Sequence, residues 1–279
     1  MTTSLFISAD IEGTCGTVAP YQCVISDSDS SAYYRAVEQL ALEIETVCNT
    51  AFEVGVDRIV VNDAHHCMTN LRLNQLDPRV SLVTGKPKSC AMLSGLDEIF
   101  SGVILLGYHA RAGTRDAVLS HTFHDDIFEL TLNGVPYGEG GLNALYAQVV
   151  FGCPTLLTSG DKAYCKEMDA HSGGAILTVE TKVGLSERAA ICHPWQQVKG
   201  SYETAVRQAL KPRPEGQEGF YLTYPSTPYT MQITFTSACS ADRACLNPTF
   251  KRIDGRTIAF THENFKTLYQ MLQACYSMI

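Results

Sequence analysis

Three separate stretches of this chain obey one rule, in which an apolar, β-branched run is followed at once by residues able to bind a cation. They are LFISADIEG, with Asp10 and Glu12, RIVVNDAHH, with His65, and GVILLGYHA, with His109. Apolar runs without polar alternation predict strands buried on both faces, the environment of a parallel sheet. In an open α/β sheet the carboxyl ends of the strands share one edge and border the binding crevice, so side chains distant in sequence meet there. The predicted fold class is α/β: a mainly parallel open sheet with flanking helices, plus a smaller α+β C-terminal portion.

The rest of the chain fits this frame. After a first strand, Ser4 to Ala9, a polar loop with Gly13, Gly16 and Pro20 leads into a long helix from near Ser30. Its stripe of Val37, Leu40, Ala41, Ile44, Val47, Cys48, Ala51 and Phe52 recurs every three or four residues and lays one face on the sheet, with Gly55 as a C-terminal cap. Arg58 to Asn62 and Val80 to Thr84 read as strands, Ala91 to Ile99 as a short helix and Gly102 to Gly107 as a strand. The stretch from His121 to Glu139 breaks the alternation and reads as an antiparallel hairpin turning at Asn133 and Gly134. Helix Leu142 to Val150, strand Pro154 to Ser159, a helix opened by Gly160 and Asp161, strand Ala175 to Lys182 and helix Trp195 to Leu210 restore the pattern. The segment KPRPEGQEG, with two prolines and two glycines, then reads as a linker. The expected division is a metal-binding α/β domain over 1–210, a linker at 211–218 and a smaller α+β domain over 219–279, ending in a helix from Glu263 to Met278.

Composition excludes some functions. Acidic residues outnumber basic ones 29 to 21, giving a net charge of -8, and no block of Lys and Arg offers a phosphate backbone a surface, so no nucleic acid partner is expected. No stretch approaches the roughly 18 apolar residues of a membrane span. The apolar run near the N-terminus, Leu5 to Ile7, is too short for a secretory signal and has no basic residue before it, so the expected location is the cytoplasm. The 11 cysteines are odd in number and form no CxxC, which argues against a zinc ribbon or a disulfide framework and for reduced packing residues. Cys67, close after His65, is the thiol expected nearest the crevice.

A fifth candidate ligand, Glu139, stands in the glycine-flanked string GVPYGEGGLNA at the start of a helix. Asp10 and Glu12 are two residues apart, so in extended chain they project to one side and address one cation. Taken singly, each residue has a plainer reading: the carboxylates as solvated loop residues or helix caps, His65 as an exposed turn residue, His109 as a satisfied core histidine. Joint placement at strand ends is what favours a metal site. Mixed carboxylate and imidazole donors suit zinc, and manganese and cobalt accept the same set. Five protein ligands exceed the three of a catalytic zinc, but two ions sharing one carboxylate would have three each.

The strings SADIEG, VNDAH, GYHARAGT, LSH and GEGGLNA, in this order, resemble the D-aminopeptidase family of dizinc metallopeptidases, once called dipeptide transport proteins. The resemblance runs through most of the chain. It implies that Asp10 bridges two zinc ions, that Glu12 and His65 complete one site, and that His109 and Glu139 complete the other. It also implies a catalytic role for His121, as nucleophile. Chemistry allows His121 to act instead as general acid or base, since an imidazole exchanges protons near neutral pH. Arg111, two residues after His109, can grip a substrate carboxylate with two parallel hydrogen bonds, or simply be solvated. Asn143 matches the GLNA string and either orients substrate or packs the helix turn. Asp63 can hold the His65 imidazole in its ligating tautomer, with a turn cap as the equal alternative. His66 and His124 match no motif.

The chain departs from the family between His109 and His121, where ARAGTRDAVLS is one residue longer and lacks a proline before the LSH string. It also has Lys162 after Asp161, where the family carries a second acidic residue. The expected activity is zinc-dependent hydrolysis of the N-terminal residue of short peptides, including D-amino acids, by domain 1–210. A ring-shaped homo-oligomer is implied by the resemblance alone. Two alternatives stand: a dinuclear-metal hydrolase of another amide or a phosphoester, and a non-catalytic peptide- or nucleotide-binding module, although GTCGTVAP after the first strand is not GxGxxG.

Overall fold

A computed structural model describes residues 3–25, 30–211, 222–223 and 225–279. Apart from residue 211, the expected linker lies outside the described residues. The elements in order are β1 (Ser4–Ala9), α1 (Ser31–Glu53), β2 (Arg58–Asp63), β3 (Ser81–Val83), β4 (Gly102–Tyr108), β5 (Ile127–Leu132) and β6 (Val135–Pro136). They continue with α2 (Glu139–Phe151), β7 (Thr155–Asp161), α3 (Lys162–Ser172), β8 (Leu177–Ser186), β9 (Ala189–Cys192) and α4 (Trp195–Ala209). The C-terminal part holds β10 (Tyr229–Phe235), α5 (Ala238–Ala244), β11 (Lys251–Arg252), β12 (Thr257–His262) and α6 (Phe265–Tyr276).

The main sheet has the order β3-β2-β1-β4-β7-β8-β9, parallel throughout except for the antiparallel edge strand β9. Every residue of β1, β4 and β7 is buried, which is why their sequences show apolar runs rather than alternation. Successive side chains go to opposite faces. Leu5, Ile7, Ile59, Val61, Ile104 and Leu106 pack toward α1 and α4, while Phe6, Val60, Val103 and Leu105 join the core around α2 and the second sheet. The chain runs outward from β1 to β3, then returns to place β4 on the other side of β1. This reversal opens a crevice at the carboxyl ends of β1 and β4.

A second, antiparallel sheet has the order β11-β12-β10-β5-β6. Two of its strands, β5 and β6, come from the hairpin inside 1–210, so this sheet joins segments on both sides of the expected domain boundary. The hairpin turns at Asn133 and Gly134 with φ of 48° and 81°, both left-handed as a tight two-residue hairpin needs. The two strands of the hairpin, 127–132 and 135–136, are shorter than the extended stretch read from the sequence, with one isolated bridge between Thr122 and His124 before them. The helix expected over 91–99 is only a single 3-10 turn, Ala91–Leu93, because Ser94 turns extended and Gly95 takes φ of 98°. Helix α5 and strand β9 carry too few periodic residues to have been read in advance. Between the two sheets lies α2, buried from Glu139 to Gln148, and it presents its N-terminus to the crevice.

Candidate metal centre

Strand β1 ends at Ala9, so Asp10 and Glu12 sit on a turn and not, as the sequence implied, on extended chain. The turn is pinned to β4: Asp10 N donates to Leu106 O at 2.8 Å and Gly13 N to Gly107 O at 2.7 Å. Two glycines permit the approach. A Cβ on Gly13 would lie 1.9 Å from Tyr108 O, and one on Gly107, whose φ is 73°, would lie 2.2 Å from Asp10 O. The far side of the turn is held by Lys182 on β8, fully buried, whose ammonium donates to the carbonyls of Glu12 (2.5 Å), Thr14 (2.8 Å) and Thr17 (2.5 Å).

His65 and His109 follow β2 and β4. His65 Nδ1 lies 3.1 Å from Asp10 Oδ1 and 3.1 Å from Glu12 Oε2, while its Nε2 lies 2.7 Å from Cys23 O. His109 Nε2 lies 3.0 Å from Glu139 Oε1 and 3.6 Å from Asp10 Oδ2, and its Nδ1 is 3.0 Å from Ala110 O. In both rings one nitrogen faces a carbonyl, to which it can only donate, and this leaves the other nitrogen's lone pair to face carboxylates. Glu139 is the first residue of α2, where the helix dipole favours its charge, and its Oε2 accepts from Phe123 N at 2.7 Å. Asp10 stands in the middle, with one oxygen toward each histidine.

Such a set needs positive charge at its centre. Burial and the nearby Glu12 push the Asp10 carboxyl up to about 8. For His109 burial favours the neutral ring, but Glu139 and Asp10 outweigh it and raise the imidazole to about 10; His65 is likewise raised well above its ordinary value by Glu12 and Asp10. Burial would raise Glu139 too, yet His109 holds it down at about 2. Glu12 Oε2 and His109 Nε2 are buried, and their contacts with His65 Nδ1 at 3.1 Å and Glu139 Oε1 at 3.0 Å lack hydrogen-bond geometry. Buried polar atoms are rarely left so, and cations held by the cluster would satisfy them. Ligand atoms of Asp10, Glu12 and His109 lie within 4.8 Å of one another, as do those of His109, His121 and Glu139. The residues fit one or more divalent ions.

His121 stacks on His109 with ring centroids 3.9 Å apart, and its Nδ1 lies 3.0 Å from Leu119 O. That carbonyl makes Nδ1 the protonated nitrogen and leaves the Nε2 lone pair available. The cluster opens on a cleft of about 1430 Å³ lined by Asp10, Glu12, His65, His121 and Glu139, with Met92, Phe123 and Tyr276 among its apolar walls. His66 and His124 line it too.

The remaining sequence candidates lie elsewhere. Arg111 and Cys67 are not among the residues that line the cleft. Asn143 is fully buried, its amide bonded to Tyr108, Met92 and Tyr269, so it braces α2 and is not among the residues that line the cleft. Asp63 forms no hydrogen bond with the His65 ring. It accepts from Asn70 N (2.6 Å), Asn70 Nδ2 (2.8 Å) and Leu71 N (2.8 Å), and Asn70 Nδ2 also donates to His65 O. Asp63 therefore orders the loop after His65, and the imidazole takes its orientation from Cys23 O. Sequence reasoning missed Cys23 because it acts through its backbone carbonyl, which any residue has. It missed Lys182 because a lysine in a strand ordinarily signals solvent.

Comparison with known proteins agrees with the site. The sequence profile of the D-aminopeptidase family matches residues 4–274. The D-aminopeptidase of Bacillus subtilis (strain 168) is 30% identical over 275 residues, covering 96% of this chain and 94% of its own. The solved Zn-dependent D-aminopeptidase DppA from Bacillus subtilis, described as a self-compartmentalizing protease, matches with a TM-score of 0.90 at 28% identity over 99% of this chain and 97% of that one. With the same fold over nearly its whole length and a family match spanning both sheets, this chain belongs to the D-aminopeptidase family.

Proposed function

We propose that this chain is a zinc-dependent aminopeptidase that removes the N-terminal residue, including a D-residue, from short peptides, using two zinc ions. The observation that carries the reading is the central Asp10, whose oxygens face His65 on one side and His109 on the other. Asp10, Glu12 and His65 would hold one ion, and Asp10, His109 and Glu139 the other. Manganese or cobalt would be accepted by the same donors. Bound as a pair, the ions supply Lewis acidity to the peptide carbonyl and to the attacking group.

The chain's own residues supply the rest. The Nδ1–H of His121 is held by Leu119 O, so Nε2 is the atom that attacks or carries a proton to and from the reacting groups. The β1 turn, pinned by Gly13 and Lys182, fixes the two carboxylates, and the apolar wall of Met92, Phe123 and Tyr276 keeps water from part of the cleft. A second reading of His121 has one observation in its favour, its proximity to His109 and Glu139, which would make it a further ligand.

The similarity to a self-compartmentalizing protease supports a ring-shaped homo-oligomer, and free thiols at every described cysteine support a reducing compartment such as the cytoplasm. Among the described residues no helix is long and apolar enough to cross a membrane. The test is hydrolysis of D- and L-aminoacyl anilides and of a phosphoester, before and after chelation. Peptidase activity should vanish with the metal and return with zinc. Full activity in rigorously metal-free protein refutes the zinc mechanism, and turnover of the phosphoester alone moves the chain to the other class of hydrolase.

A further inference from the structure

Behind the metal cluster, the end of β7 and the middle of β8 carry two buried ionisable residues that the chemistry does not use. Asp161 is 1% exposed and Lys182 0%, and they are register partners in the sheet. Neither is spent on surface solvation, and an apolar pair of the same size would ordinarily be cheaper to bury.

Each charge reaches a different part of the site. Lys182 has three N–H groups, and all three end on carbonyls of one turn, those of Glu12, Thr14 and Thr17. Its neighbour Thr181 adds a bond to Gly13 O at 2.6 Å. Asp161 divides its carboxylate: Oδ1 caps α3 by accepting from Tyr164 N at 2.8 Å, and Oδ2 accepts from Val118 N at 2.7 Å. Val118 opens the segment that carries His121. The next residue, Leu119, has φ of 52°, a conformation that an L-residue with a branched side chain adopts only under constraint, and its carbonyl is the partner of His121 Nδ1. Leu119 N in turn donates to Glu187 O at 2.9 Å. The segment also lies close against β8, where a Cβ on Gly184 would stand 2.2 Å from Asp116 O.

We infer that Asp161 and Lys182 form a positioning frame, in which Lys182 sets the metal-binding turn of Asp10 and Glu12 and Asp161 sets the His121 segment, so that adjacent residues of one sheet hold the two halves of the site in register. The inference rests on the proposed zinc site for its consequences and on the hydrogen bonds alone for its geometry. Asp161 touches no reacting atom and acts through Val118 and Leu119 on His121. Lys182 acts through the backbone of the turn and not as a ligand or proton carrier.

The two arms predict crossed phenotypes in the full chain. In Asp161→Asn the amide oxygen keeps the α3 cap while the amide nitrogen turns toward Val118 N–H, so the loop contact alone is lost. Amide exchange over 116–121 should quicken about tenfold, that over 12–17 should not, zinc affinity should hold, and kcat should fall about a hundredfold with KM little changed. Lys182→Met should do the reverse: faster exchange over 12–17, weaker zinc binding by competition with a chelator, and no quickening over 116–121. If Asp161→Asn does not fold, Gly184→Ala displaces the same segment; if Lys182→Met does not, Thr181→Val loosens the same turn. Exchange that changes equally at both places in either variant, or not at all, overturns the frame. Wild-type protein that turns over no peptide would sink the proposed activity, and the exchange measurements would still decide this inference.

Discussion

The close approach of β1 and β4 makes Gly13→Ala the most exacting perturbation of the centre. A Cβ at this position would lie 1.9 Å from Tyr108 O and 2.6 Å from Gly107 C. Comfortable contact needs about 3.5 Å, so the turn and the β4 end must separate by about 1.6 Å. Both obstacles are backbone atoms of a buried strand, which no side-chain rotation can relieve. Overpacking of this kind costs about 1–3 kcal/mol of stability. The larger effect is on the site, because the separation falls between Asp10 and His109. Their 3.6 Å contact would open to about 5 Å, far outside the ~0.2 Å tolerance of metal–ligand distances. Zinc affinity and kcat/KM should each fall at least about a hundredfold. The assays are zinc competition with a chromophoric chelator, turnover of an aminoacyl anilide, and urea unfolding. Gly16→Ala is the control: it lies in the same loop with φ of 83° and nothing within 4 Å of its Cβ, so it strains the backbone by about 1 kcal/mol without separating the strands. A Gly13→Ala protein that binds zinc and turns over like wild type would show that the contact between β1 and β4 does not set the site.

Four further outcomes are expected. His121→Ala should keep its zinc and lose about 10²–10⁴ in kcat; zinc lost together with activity would make His121 a ligand instead. Because the facing carboxylates outweigh burial and raise His109 from 6.5 to about 10, zinc must displace protons, so its affinity should climb with pH across that range and a flat profile from pH 7 to 9 would refute the reasoning. The sign for folding is opposite in metal-free protein, whose stabilisation by the protonated ring is complete below pH 6.5 and is lost as pH rises through about 10; thermal unfolding with and without zinc should therefore diverge on the alkaline side. Asn70→Ala removes the side-chain bonds to Tyr33 OH, His65 O and Asp63 Oδ1 at once and should cost about 3 kcal/mol in urea unfolding, with a loss below about 1 kcal/mol showing that the loop relaxes around the gap.

Much of the fold could be read from local pattern. The stripe of α1, the unbroken apolar runs of β1 and β4 and the Asn133–Gly134 turn each rest on contacts within a few residues, so their periodicity survives in the sequence. The ligand candidates were legible for the same reason, since a polar residue closing an apolar run marks a strand end. The secondary-structure readings that differ depend on partners far along the chain. A helix over 91–99 satisfied propensity and lost to the left-handed Gly95, and α5 is too short to show a period. Arg111 and Asn143 had suitable chemistry, but which way a side chain points is decided by packing. Asn143 faces the Tyr108 and Tyr269 hydroxyls, and Arg111 lies outside the cleft lining.

By itself the sequence determined that this chain builds a parallel sheet whose strand ends carry carboxylates and imidazoles, because burial and alternation are local properties written residue by residue. Only the tertiary structure decided that Asp10 stands between His65 and His109, that Glu139 arrives from the helix between the two sheets, and that Lys182, Cys23 and Asp161 hold these parts in place. Those relations join residues up to 170 positions apart, as in the contact of Lys182 with Glu12, and they depend on strand order and register, which no short stretch of sequence encodes.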